Sequence, residues 1–271
     1  MRRLLIRPGG IGDSILCLPA LEFLKADYTE VWVREEVAPL IHCADRVRSI
    51  ASTGIDRLGL AGMDAPMSLL ERLREFDSIV SWYGSNREDF RAEVFRLALP
   101  FQFHPALPDP SEHAHAADYF LRQVGGSGRA VPRIAGPVVS SGDFAVIHPF
   151  SGSARKNWSL ERFRELARRI EMPVAWCAGP EEHLEGAVRI ENLYELAGWL
   201  RSARIYIGND SGITHLAAAA GAKVVAIFGP SDPDVWAPRG DRVRVVAGNL
   251  DEITADRVLC AVRENLAPLE R

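Results

Sequence analysis

The amino-acid sequence predicts an α/β protein of two Rossmann-like domains, each a parallel sheet covered by helices. Three observations predict it. Apolar runs of strand length alternate with amphipathic segments of helix length along most of the chain. Glycine-rich polar turns, Gly9-Gly10-Ile11-Gly12-Asp13 and Gly208-Asn209-Asp210-Ser211-Gly212, stand where a strand hands over to a helix. Between residues 124 and 143, Gly125-Gly126-Ser127-Gly128, Pro132, Gly136-Pro137 and Ser140-Ser141-Gly142 crowd together and read as a linker. The expected division is residues 1–136 and 137–271, with a cleft between the two sheets.

The elements follow in order. Leu4 to Arg7 is a short buried strand stopped by Pro8 and the glycine turn. Asp13 stands where an N-cap belongs, and Ile15, Leu16, Leu18, Leu21, Phe23 and Leu24 form the apolar face of the next helix. Val31 to Val33 and Val47 to Ala51 are strands, Ser68 to Phe76 is an amphipathic helix, and Ser78 to Trp82 is a fourth strand. After the linker the predicted strands are Phe144 to His148, Val174 to Cys177, Ile205 to Ile207, Val224 to Phe228 and Val243 to Val246. Between and after them come helices at Leu160 to Ile170, Leu193 to Arg201, Ile213 to Ala220 and Thr254 to Leu266. Strands alternating with helices imply parallel sheets with right-handed crossovers.

Composition narrows the function classes. The chain has 271 residues, 47% hydrophobic and 25% charged, which suits an ordinary globular fold. A net charge of −4 argues against non-specific nucleic-acid binding, which requires a basic surface. No apolar run reaches the roughly 20 residues of a membrane helix, and the N-terminal run is too short for a signal peptide. A cytoplasmic protein is expected, with at most peripheral contact at the inner face of the membrane. Cys17, Cys43, Cys177 and Cys260 form no Cys-x-x-Cys pair, and three lie in apolar runs that predict buried free thiols.

Four segments carry candidate chemistry. The Gly9–Asp13 turn lies at the carboxyl end of a strand, where open α/β sheets bind ligands. It fits neither the dinucleotide fingerprint nor a P-loop, because Ile15 occupies the third glycine position and no Gly-Lys-Ser/Thr follows. Asp13 is either a helix cap stabilising by about 1 kcal/mol or a general base. In the loop from His148 to Trp158, Ser151, Gly152 and Lys156 could clamp a diphosphate, while Arg155 is read as solvated and His148 as the end of its strand. The Asp210 turn delivers free helix amides to one point, as an anion site does, with Asp210 as cap and His215 as a core histidine in the alternative reading. Gly179-Pro180-Glu181-Glu182 offers a carboxylate for ribose hydroxyls or is a solvated acidic turn. His113-Ala114-His115 lacks partner ligands for a metal and reads as surface.

Taken together these segments resemble glycosyltransferase family 9, the bacterial lipopolysaccharide heptosyltransferases and their relatives. The likeness runs from the opening Gly-Gly-Ile-Gly-Asp13-Ser, through Pro149-Phe-Ser-Gly-Ser…Lys156-Asn-Trp158, to Gly208-Asn-Asp-Ser-Gly-Ile-Thr-His-Leu and Phe228-Gly-Pro-Ser-Asp-Pro233. Residues from about 40 to 130 contribute little to it. The resemblance implies a GT-B fold and inverting sugar transfer without metal or other cofactor, the acceptor in the first domain and the donor in the second. It implies Asp13 as the base, Ser151 and Lys156 on the donor phosphates, Glu181 near the nucleoside, and Asp210, Ser211, Gly212 and His215 around the diphosphate and sugar. The donor it implies is ADP-heptose or a related nucleotide sugar, and the acceptor a lipopolysaccharide or envelope glycan. Gly10, Tyr83, Arg87 and Arg91 are the candidate acceptor contacts. The first domain is short for the family, which implies a trimmed acceptor pocket, and it carries no basic run of the sort a strongly phosphorylated lipid acceptor suggests. The alternatives are a nucleotide-sugar epimerase on the same scaffold and a non-catalytic nucleotide-sugar binding protein.

Overall fold

A computed structural model of the chain describes residues 1–268. The chain forms two compact units, one of residues 1–112 and 116–130, the other of residues 113–115 and 131 onward. In the first unit the elements are β1 (Arg2–Ile6), α1 (Ile11–Phe23), β2 (Tyr28–Val33), β3 (Arg46–Ser49), α2 (Met67–Leu73), β4 (Ser78–Ser81), α3 (Glu88–Arg96), β5 (Phe101–Phe103) and α4 (Ala116–Gln123). The second unit continues with β6 (Ala145–His148), α5 (Leu160–Arg169), β7 (Val174–Trp176), α6 (Leu193–Ser202) and β8 (Ile205–Asn209). It closes with α7 (Gly212–Ala219), β9 (Val224–Phe228), α8 (Pro233–Trp236), β10 (Val243–Ala247) and α9 (Ala255–Leu266).

Both sheets have five strands, in the orders β3-β2-β1-β4-β5 and β10-β9-β8-β6-β7, and the paired strands run parallel. Each sheet therefore has a topological switch point. In the first it lies between β1 and β4, where Ile6 is in register with Ser81. In the second it lies between β6 and β8, where His148 is in register with Gly208. Ligands of such sheets bind at these strand ends.

Burial explains the strands. β8 and β9 are buried at every residue, as central strands covered on both faces must be. Trp158, Phe163, Ile207, Ile227, Val258 and Val262 belong to the core that packs α5 and α9 onto the second sheet. In the first unit Leu4, Ile6, Trp32, Ile79 and Phe90 fill the corresponding place.

Several expectations are corrected. Asp13 is not the N-cap of α1; Gly10 is, and Asp13 lies three residues inside the helix with Oδ2 accepting the Gly10 amide at 3.1 Å. The cause is that the helix starts at Ile11, because the glycine turn is complete by Gly10. Helices α3 and α4 and strand β5 were not expected: β5 is only three residues long, and α3 buries little beyond Phe90 and Val94. His115 is buried, its Nε2 2.8 Å from the Ala237 carbonyl, rather than at the surface. Cys17 and Cys177 are buried and Cys43 is partly so, but Cys260 sits on the exposed face of α9.

The glycine and proline stretch is not loose throughout. Ile134 donates to the Ala219 carbonyl at 2.9 Å and Gly142 to Ser202 at 2.8 Å, which fastens residues 131–142 to the second unit. A Cβ on Gly198 of α6 would stand 2.5 Å from Pro137 Cγ, and one on Gly136 3.1 Å from the Gly198 amide nitrogen, so both glycines allow the stretch to pack closely on α6.

Candidate functional site

At the switch point of the second sheet, the loops after β6 and β8 leave side by side, and one buried side chain joins them. Asn209, the last residue of β8, donates from Nδ2 to the Pro149 carbonyl at 2.8 Å and accepts the Trp158 amide on Oδ1 at 3.0 Å. Trp158 is itself fixed: its indole donates to the Ile253 carbonyl at 2.9 Å and meets Phe163 edge-on. Between the two fixed points, Ala154–Lys156 form one 3-10 turn that carries Lys156 toward β8. Lys156 Nζ lies 2.7 Å from Asp210 Oδ2. Asp210 is buried, so this ion pair is what meets its carboxylate.

The start of α7 is held by a knot of hydroxyls. Ser211, not Asp210, is the N-cap, its Oγ accepting the Thr214 amide at 3.3 Å. Thr214 Oγ1 donates to the Asn209 carbonyl and lies 3.1 Å from both Tyr206 Oη and Ser211 Oγ. Tyr206 is fully buried, and burial drives its phenol far above the ordinary range, against the Thr214 and Ser211 hydroxyls. Gly208 makes the knot possible, because a Cβ there would stand 2.4 Å from the Tyr206 hydroxyl oxygen. Ser211 spends its cap on Thr214, which leaves the Gly212 and Ile213 amides at the positive end of the helix without an intrahelical acceptor. His215 is buried one turn in and is engaged within the fold.

The loop after β7 is laced to the same edge. His148 Nε2 lies 2.9 Å from Glu182 Oε2, which also accepts the Gly179 amide at 2.6 Å. Arg189 donates to the Gly179 and Glu182 carbonyls at 3.1 and 2.7 Å. Burial pushes the Glu182 carboxyl up, but His148, the Gly179 amide and Arg189 together hold it below the usual carboxylate range. His148 Nδ1 is buried without a hydrogen bond. Glu181, the predicted nucleoside contact, is exposed at the tip of this loop.

In the first unit, the Gly9–Asp13 turn stands at the switch point between β1 and β4. Asp13 is partly exposed, and its carboxylate holds the Gly10 amide. From the end of β1, buried Arg7 donates from Nη2 to the Asp13 carbonyl at 3.2 Å. Past β4, Tyr83 Oη accepts from Arg87 Nη1 at 2.7 Å, and Arg87 also reaches the Asp56 carbonyl at 3.4 Å. Burial raises the Tyr83 phenol and Asp56 adds to that, while Arg87 opposes it. Arg91 is exposed on α3, its guanidinium 5.7 Å from the Phe103 ring centroid.

The predicted residues thus fall into groups. Lys156, Asp210, Ser211, Gly212 and His215 come together around the start of α7, with Ser151 and Gly152 in the adjoining loop. The Ser151 hydroxyl is turned into that loop, 2.7 Å from the Ser153 carbonyl and 2.8 Å from Asn157 Oδ1. Gly152 is exposed with open space around it. Asp13 and Gly10 form a second group, and Tyr83 with Arg87 a third. Asn209, Thr214 and Arg7 were missed as site-building residues, and Glu182 was seen in its segment but passed over for Glu181. For Asn209 and Arg7 the one signal was a polar residue at the end of an apolar strand or just beyond it, where a solvated turn reads the same way. Among the described residues no group of three or more His, Cys, Asp or Glu side chains is placed to hold a metal ion, and no helix is long and apolar enough to cross a membrane.

Comparison with known proteins gives a consistent set of likenesses. Residues 129–262 match the family described as glycosyltransferase family 9 (heptosyltransferase). Lipopolysaccharide heptosyltransferase 1 of Escherichia coli O18:K1:H7 is 24% identical over 98% of this chain and 98% of its own. Lipopolysaccharide heptosyltransferase 2 of Salmonella typhimurium is 35% identical over 27% of this chain and 19% of its own. Among solved structures, E. coli ADP-heptose lps heptosyltransferase II superposes with a TM-score of 0.75 at 17% identity, covering 98% of both chains. E. coli heptosyltransferase WaaC with ADP superposes with a TM-score of 0.72 at 21% identity, covering 98% of this chain and all of that one. These superpositions identify the fold as GT-B.

Proposed function

We propose that this heptosyltransferase-like glycosyltransferase of family 9 moves a sugar from a nucleoside diphosphate donor, ADP-heptose in the most specific form of the reading, to an envelope glycan. The family match over residues 129–262 and the geometry at the start of α7 support it. WaaC has been solved with ADP and with ADP-2-deoxy-2-fluoro heptose, and its fold is shared over 98% of this chain. Carried to this chain, that points to an adenine nucleotide on the second unit. The acceptor is proposed as a lipopolysaccharide precursor and the place of action as the cytoplasm, with at most peripheral membrane contact.

The chemistry follows from the residues. The Gly212 and Ile213 amides and the Lys156 ammonium would meet the two phosphates, Lys156 exchanging its contact with Asp210 for one with the donor. Asp210, Ser211, His215 and the Ser151–Gly152 loop would border the diphosphate and sugar, with Glu181 near the nucleoside. As the bond between the sugar's anomeric carbon and the phosphate oxygen breaks, negative charge grows on the leaving diphosphate, where fixed amides and a cation stabilise it most. Asp13 takes the proton of the acceptor hydroxyl as that oxygen bonds to the anomeric carbon from the opposite face, so configuration inverts and no metal is required. Gly10, Tyr83, Arg87 and Arg91 would contact the acceptor.

The observation that carries the reading is the convergence of Lys156, Asp210 and the capped α7 start at one switch point. Calorimetric titration with ADP, GDP, UDP and CDP in EDTA tests the donor half, with ADP expected to bind tightest. Replacing Asp13 by Asn tests the base: transfer should fall by about 10²–10⁴-fold while ADP affinity stays unchanged. An Asn variant as fast as the parent would remove Asp13 from the mechanism. Absence of binding by every nucleotide would remove the donor site.

A further inference from the structure

We propose that Arg7 is a positioning residue for Asp13, an inference that rests on the reading of Asp13 as the base. Arg7 leaves β1 immediately before the glycine turn, and only 1% of it is exposed. Its guanidinium gathers three separate segments of the first unit. Nη2 donates to the Asp13 carbonyl in the first turn of α1 at 3.2 Å, and Nη1 to the Ala106 carbonyl beyond β5 at 3.1 Å. The guanidinium carbon lies 4.6 Å from the ring centroid of Phe120 on α4. Nε is buried with no hydrogen bond, and among the described residues no carboxylate is within ion-pairing distance.

A buried cation without a carboxylate is costly, and a ring face with two carbonyls only partly offsets the lost water. An apolar side chain would fill the same space without that cost if filling space were the only requirement. What the cation adds is direction. Asp13 lies in the first turn of α1, where Gly9 and Gly10 at the entry and Gly12 beside it weaken the start of the helix. The residue is instead gripped from two sides, its carbonyl by Arg7 and its carboxylate by the Gly10 amide. A catalytic group in a glycine-flanked first turn gains from such outside support, since a displacement of about 1 Å can cost about 10²-fold in rate.

The test is kinetic, on the full chain, with Arg7→Met and Arg7→Lys in the parent and in the Asp13→Asn background. Arg7→Met should lower kcat by about 10²-fold with the KM for the donor and the ADP Kd within twofold. Arg7→Lys, which keeps the cation and protects folding, should lose roughly tenfold. In the Asp13→Asn background neither change should lower kcat further, because the group they position is gone. A simple loss of active protein would multiply with the Asp13 effect and would overturn the proposal. So would an Arg7→Met rate within threefold of the parent, or a loss confined to donor KM. Parent-like transfer by Asp13→Asn would overturn the base assignment and this proposal together, whereas loss by Asp13→Asn with Arg7 variants unaffected overturns this proposal alone.

Discussion

Replacing Asn209 by Ala should destabilise the second unit more than any other single polar truncation at the candidate site. The amide stands at the end of β8, is fully buried, and holds the Pro149 carbonyl and the Trp158 amide at 2.8 and 3.0 Å. Truncation leaves both backbone groups in a place water does not reach. Each orphaned group costs about 1–3 kcal/mol, so the expected loss for the two is about 2–6 kcal/mol. Ser159→Ala is the matched control. Ser159 is the N-cap residue of α5, but its side chain makes no capping bond, so its loss should stay within about 0.5 kcal/mol. Urea unfolding of parent and variants, followed by tryptophan fluorescence and fitted with separate transitions for the two units, measures both. If Asn209→Ala and Ser159→Ala shifted the second unit equally, the claim that one side chain ties the loops after β6 and β8 would be refuted.

Two further outcomes follow from buried titratable groups. Burial pushes the Cys17 and Cys177 thiols up to about 12 and Cys43 up to about 11, so at pH 8 in the folded protein the exposed Cys260 should react first with Ellman's reagent. Rapid labelling of Cys17 or Cys177, read by peptide mass, would contradict the packing. Glu182 has a folded pKa below its unfolded value near 4.5, so it adds stability above that pH and loses it as pH falls through the folded value. The gap in melting temperature between the parent and Glu182→Gln should therefore be full at pH 7 and shrink below about pH 4.5; a constant gap from pH 7 to 3 would show that the carboxylate's charge contributes nothing.

The order of strands and helices in the second unit was legible in the sequence because its signals are local. β9 is an unbroken apolar run, Thr254 caps α9 through the Arg257 amide, and the alanines of α7 announce a thin helix against a sheet. The same locality made Asp13, Lys156 and the Asp210 turn visible as candidates, and the match to residues 129–262 falls where those signals are densest. Less of the first unit was legible. α3 offers the core few apolar side chains, and β5 is three residues long, so neither stands out from a polar loop.

Which polar residue does which task was decided only by tertiary structure. Sequence offers Asp13 and Asp210 as caps, yet Gly10 and Ser211 hold those positions, Asp13 reaches back to the Gly10 amide and Asp210 pairs with Lys156. It reads Glu181 and Glu182 as equivalent, but only Glu182 reaches His148, 34 residues away along the chain. It marks Arg7 only as a polar residue closing an apolar strand, while its partners stand 6, 99 and 113 residues further on. The physical reason is common to all of these. Apolar periodicity and helix propensity act over a turn or two of chain, so they can be read locally. A buried polar group is instead satisfied by whichever donor or acceptor the fold brings within about 3 Å. That partner is set by strand order at the switch points, which no local stretch of residues encodes.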